Sequence, residues 1–143
     1  MRKFKYICRI LFVPLFVGLL VSSAQAGDVK KRDDGIHYQP WIKNISFLDL
    51  KEDLKEALGA KKIGLVVIFE QPGCGSCKRL HEVNFNDKTL VKVITDKFDV
   101  LQINMYGSSE VTDMGGAVIN EKTFSEKMAI NFTPTTVFFD ESG

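Results

Sequence analysis

The longest buried-looking stretch of the chain is the apolar run over residues 63–69 (IGLVVIF), rich in β-branched side chains, which predicts a central strand covered on both faces. Ahead of it, Leu50, Leu54, Ala57 and Leu58 recur at helical spacing after Asp49, and Gly59 is placed to end that helix. A second helix is expected over about residues 75–84. A third follows, capped by Asn86 or Asp87, with Leu90, Val91, Ile94 and Phe98 as its apolar stripe. Residues 99–105 read as a second strand. Residues 106–120, with three glycines and two serines, read as a long loop. Residues 121–132 then repeat Phe124, Met128, Ala129 and Phe132 at helical spacing behind the cap Asn120, a stripe expected to be core. Thr135–Phe139 is a third strand, and residues 140–143 form a turn. Strand and helix alternate, which predicts an α/β sheet with parallel pairing.

One further apolar run lies outside this pattern. Residues 11–21 are apolar, follow Arg2, Lys3, Lys5 and Arg9, and precede Ala24-Gln25-Ala26, the small-x-small pattern of a secretory signal. The run is shorter than the roughly 20 residues that span a bilayer, so cleavage after Ala26 is expected rather than a retained anchor. Cys8 precedes the run and leaves with the leader. Residues 27–45, with the mixed charges Lys30, Lys31, Arg32, Asp33 and Asp34, read as a solvated, flexible arm, with Trp41 docking it on a domain over residues 46–143.

The leader also changes the composition. The 143 residues carry 19 basic and 18 acidic side chains, a net charge of +1; without Arg2, Lys3, Lys5 and Arg9 the charge becomes −3. Neither value gives the cationic surplus of a nucleic-acid binder, and no nucleic-acid partner is expected. Two cysteines remain, both in Cys74-Gly75-Ser76-Cys77. A disulfide closing so short a loop contributes only about 2 kcal/mol, against about 4.7 for a hundred-residue loop, so the pair is a poor staple. Redox chemistry and metal binding stay open.

The position of the pair favours redox chemistry. It lies where the first strand ends and the next helix begins, and unpaired N–H groups at a helix start favour negative charge by about 0.3–1 kcal/mol. Such a field lowers a thiol pKa from about 8.5 by roughly one unit. Cys74, at the helix start and nearer solvent, gains most. Cys77 lies one turn inside, and Lys78 adds positive charge.

Residues 70–78 (EQPGCGSCK) after an apolar strand, with Thr133-Pro134 ahead of the last strand, resemble the thioredoxin superfamily. The likeness spans about residues 49–143. It is strongest to the exported thioredoxin-like proteins of the sulfur-oxidation (SoxW) type, relatives of the catalytic domains of periplasmic disulfide isomerases. The resemblance implies a thioredoxin-like fold, a central mixed sheet flanked by helices, here expected to lack its last strand and helix. Cys74 matches the nucleophile and Cys77 the resolving thiol. Pro134 matches the cis-proline facing the dithiol, and the backbone of Thr133 would pair with a bound substrate.

The chain departs from thioredoxins proper at three positions. Gly73 stands in place of the tryptophan before the first cysteine, Ser76 in place of the proline between the cysteines, and Ile68 in place of the buried aspartate. Glu70 is the nearest carboxylate; it could tune the dithiol, as could Lys78, but a solvated strand-end glutamate is the expectation. His81, four residues after Cys77, gives an alternative reading in which Cys74, Cys77 and His81 bind zinc or copper. The favoured reading leaves His81 on the helix surface, and His37, in the arm, offers no evident fourth ligand.

The expected function is that of a periplasmic protein disulfide reductase needing no cofactor or metal. The resemblance implies cysteine-containing exported proteins as clients and a membrane electron donor of the DsbD or CcdA type. A monomer is expected, because isomerase activity in this family accompanies a dimerisation domain and the arm is too short to be one.

Overall fold

The computed structural model describes residues 29–43 and 47–143. The expected signal segment over residues 1–26 and Cys8 lie outside the described residues. Among the described residues there are four α-helices and five strands, in the order α1 (Leu50–Gly59), β1 (Gly64–Glu70), α2 (Gly75–Val83), α3 (Lys88–Lys97), β2 (Phe98–Asn104), β3 (Glu110–Thr112), β4 (Val118–Asn120), α4 (Glu121–Lys127) and β5 (Thr135–Phe139). The main sheet runs β2-β1-β5. β1 pairs with β2 in parallel and with β5 antiparallel, so the sheet is mixed, as the resemblance implied, and not purely parallel.

β1 occupies the centre because nothing in it prefers water until Glu70; all seven residues are buried. Full burial of each Val, Ile, Leu or Phe contributes about 1.5–3 kcal/mol. Its side chains alternate between two cores. Leu65, Val67 and Phe69 face α1 and α4, meeting Leu50, Leu54, Ala57 and Phe124. Val66 and Ile68 face the other way, onto Phe85, Val100 and Ile42 of the arm. The same period of two turns Glu70 toward the α2 and arm side. Gly64 starts the strand where a Cβ would overlap the carbonyl oxygen of Phe139, so the close β1–β5 approach requires glycine there.

Asn120 caps α4 as the sequence predicts, Asp87 proves to be the cap of α3 out of the pair Asn86 or Asp87, and Asp49 caps α1. Asp49 accepts from the Glu52 N–H at 3.1 Å, Asp87 from Thr89 and Leu90, and Asn120 from Thr123. Other expectations fail in instructive ways. Phe98 opens β2 instead of closing the α3 stripe, and Leu90, Val91 and Ile94 are only half-buried. The segment 106–120 is no simple loop: β3 and β4 form a hairpin, its turn held by Asp113 Oδ1 accepting from Gly115 and Ala117 N–H. α4 stops at Lys127, and Ala129 takes a left-handed φ of 53°. Ala129 and Phe132 are consequently exposed, Phe132 by 71%, and neither is core.

The arm is the largest correction. Over residues 29–43 it is packed on the domain, with Ile36, His37 and Ile42 buried. Trp41 meets Phe85 edge-on at 5.0 Å, the docking expected of it. Lys43 bridges to Asp53, Glu56 and Asp99, tying the arm to α1 and β2. Lys43 N–H also donates to the Val100 carbonyl at 2.9 Å. Among the described residues no helix is long and apolar enough to cross a membrane.

Candidate functional site

Between β1 and α2 the chain must reverse, and Gln71-Pro72-Gly73-Cys74 does so in a tight turn. The Cys74 N–H donates to the Gln71 carbonyl at 3.3 Å. Gly73 has φ +75°, the left-handed value that the third residue of a type II turn needs, after a proline suited to the second. This explains why Gly73 stands where thioredoxins proper carry tryptophan: a side chain with a Cβ is strained there. Gly35 of the arm runs against this turn, close enough that a Cβ there would lie 3.2 Å from Pro72 Cβ.

The turn delivers Cys74 to the N-cap of α2. Its sulfur is bonded to that of Cys77 at 2.09 Å, with the Cα atoms 5.2 Å apart. Cys74 Sγ also accepts from the Cys77 N–H at 3.0 Å. Cys77 is fully buried, while Cys74 keeps 7% of its surface. Cys74 is therefore the outer sulfur of the pair and Cys77 the inner one. Across from the sulfurs, Thr133 Oγ1 donates to Cys74 Sγ at 3.3 Å, and the Thr133 carbonyl oxygen lies 3.7 Å from it. The Thr133–Pro134 peptide bond is cis. Cys74 Sγ thus sits at a helix start with two donors, the Cys77 N–H and the Thr133 hydroxyl, aimed at it.

Behind the dithiol lies a buried polar cluster that the sequence reading did not anticipate. Glu70 is wholly buried and not solvated. Its Oε1 is 2.6 Å from His81 Nε2 and accepts from Gln102 Nε2 at 3.0 Å; its Oε2 is 3.4 Å from His37 Nδ1. His81 is likewise fully buried, not on the helix surface, because α2 turns that face onto the sheet. Burial pushes the Glu70 carboxyl up, but the hydrogen bonds and charge of His81, with Gln102 and His37, outweigh it and hold the group below its ordinary range. Gln102 also donates to the His37 carbonyl at 3.0 Å, which pins the arm over the cluster. Among the described residues, His81 Nδ1 and Gln102 Oε1 are buried and find no hydrogen-bond partner.

Of the residues singled out in the sequence, Cys74, Cys77, Thr133 and Pro134 come together. Lys78 turns outward, its ammonium 3.4 Å from Glu82. Cys74, Cys77 and His81 do not form a ligand set, since the sulfurs are bonded to each other and His81 Nε2 is on Glu70. His37, expected in a mobile arm, is brought onto Glu70 by the arm's docking, and Gln102 joins it from β2. Gln102 had a usable signal: it alternates with Leu101 and Ile103 in a strand, so it faces the same side as Val100.

Residues 50–143 match the family described as a thioredoxin-like domain. No curated protein matches the chain. Among solved structures, it is similar to a thioredoxin-fold protein from Helicobacter pylori, with 23% identity and a TM-score of 0.51. The match covers 84% of this chain and 65% of that one, and at such identity it speaks to the fold alone.

Proposed function

Because the chain belongs to the thioredoxin-like family, we propose that its Cys74–Cys77 pair works as a thiol–disulfide oxidoreductase that reduces disulfides in exported client proteins. The observation that carries this reading is the placement of Cys74 Sγ. It caps α2, is bonded to Cys77, and is faced by Thr133 across the site. The matches reach the superfamily and not the sulfur-oxidation branch.

In the proposed cycle the Cys74 thiolate attacks one sulfur of a client disulfide. A Cys74–client mixed disulfide forms, and the second client sulfur leaves as a thiolate. The Cys77 thiolate then attacks Cys74 Sγ, the mixed disulfide breaks, and the client leaves with both sulfurs reduced. Two electrons have passed from the dithiol to the client, and the Cys74–Cys77 disulfide remains. A membrane dithiol donor of the DsbD or CcdA class would return the electrons, with protons taken from solvent.

Thr133 would pair through its backbone with an extended client segment, and Pro134 would shape the wall beside it. Glu70 acts in this reading as a positioning residue through His81, which shares the α2 face of Cys77 one turn on. Lys78 contributes a positive charge at the helix surface. A periplasmic location is proposed from the signal-like sequence pattern of residues 1–26, and the working form is proposed as a monomer without nucleic-acid partners.

The redox potential tests the direction. Family potentials run from about −270 mV for thioredoxin to about −120 mV for DsbA. A value below about −200 mV is expected of a reductase. A value above about −150 mV would reassign the protein as an oxidase.

A further inference from the structure

We propose that His37, Glu70 and His81 form a binding site for a divalent first-row transition metal ion, zinc foremost, independent of the two cysteines. The three residues come from three separate elements: the arm, the end of β1 and the middle of α2. Their ligating atoms all lie within 4.8 Å of one another, and each residue is buried. Two imidazoles and one carboxylate are a donor set suited to zinc and its neighbours, not to calcium or magnesium.

Two of the three separations are near those of a zinc site with a carboxylate bound through both oxygens, and one ring nitrogen of each histidine, within 4.8 Å of the other, would close on the ion. Zinc ligands at about 2.0–2.2 Å in a tetrahedron lie about 3.4 Å from each other. Glu70 Oε2 and His37 Nδ1 already stand 3.4 Å apart. Glu70 Oε1 and His81 Nε2 stand 2.6 Å apart, so that pair would open by less than about 1 Å on taking an ion between them. Each carboxylate oxygen faces a different ring, which leaves the carboxylate at the middle of the set.

Of the surrounding groups, Gln102 supplies the support a metal centre needs, while His81 Nδ1 finds no partner among the described residues. Gln102 holds the carboxylate through Nε2 and the arm through the His37 carbonyl, as supporting residues around metal ligands do. Its own Oε1 is buried and finds no partner among the described residues, an oxygen beside the cluster open to an ion. The ion would bind the arm to the helix carrying the dithiol, since His37 reaches the site only through the arm's folding over β2.

The inference does not rest on disulfide reductase activity, and its test keeps the two apart. The full chain, purified oxidised and stripped with a chelator, is titrated with zinc alone, beside Cys74→Ser/Cys77→Ser, His37→Ala and His81→Ala. One zinc per chain is expected in the oxidised protein and in the double cysteine variant. At least tenfold weaker binding is expected in each histidine variant. X-ray absorption on the zinc-loaded oxidised wild type, which does not depend on any variant folding, should show nitrogen and oxygen ligands only. No zinc in the oxidised protein, sulfur at about 2.3 Å, or unchanged affinity in folded histidine variants would each overturn the site.

Discussion

His81 Nε2 and Glu70 Oε1 stand 2.6 Å apart with neither side chain reaching solvent. A buried carboxylate costs several kcal/mol unless it is paired, so the two residues depend on each other. In chelated protein, Glu70→Gln and His81→Phe should each destabilise the fold by about 2–4 kcal/mol. The double variant should cost at least about 1 kcal/mol less than the sum. Urea unfolding of the four proteins measures this; additive losses would mean that the pair is not coupled.

Gly73 is required by its turn. With φ at +75°, a Cβ brings the strain of the left-handed region, so Gly73→Ala should lose about 1–2 kcal/mol. A shift in the urea midpoint at unchanged slope would show it. No change in midpoint would mean that the turn relaxes to another type.

Phe132 is 71% exposed immediately before Thr133 and Pro134, although its spacing marked it as core. An aromatic beside the proposed client-binding backbone should contact the client. Phe132→Ala is expected to raise KM for a disulfide-bearing protein about tenfold. Stability should move by no more than about 0.5 kcal/mol, and the redox potential should not move. An unchanged KM would remove Phe132 from the client surface.

Glu121 is buried and accepts from the Asn104 N–H at 3.0 Å. Burial pushes its carboxyl up, more than these backbone donors and the charge of Arg32 pull it down. The unfolded chain therefore releases this proton first as pH rises. Its contribution to stability falls between the ordinary carboxylate pKa and the raised folded value, and is flat above. The stability difference between wild type and Glu121→Gln should shift in favour of the variant across that window, read from thermal melts at stepped pH. A pH-independent difference would contradict the assignment.

The strand β1, the dithiol at its junction with α2, the cap Asn120 and the cap at Asn86 or Asp87 were legible because each is local: a run, a spacing or one residue. What was not legible depends on distant contacts. Ile36, His37 and Ile42 sit among charges without periodicity, and the partners that bury them lie far along the chain. β3 and β4, at three residues each, are too short to show alternation. Glu70 is the exception that could have been read. Counting by two from Val66 and Ile68 puts it on the inner face, and His81 at one turn from Cys77 points to the same layer.

The central claim is that Cys74 attacks and Cys77 resolves. The most direct measurement is to produce Cys77→Ser in cells and separate its complexes without reductant. The account predicts discrete mixed disulfides with exported proteins that disappear on adding reductant and are absent when Cys74 is also replaced by Ala. Recovery of no such complexes, or of complexes that persist without Cys74, would contradict it.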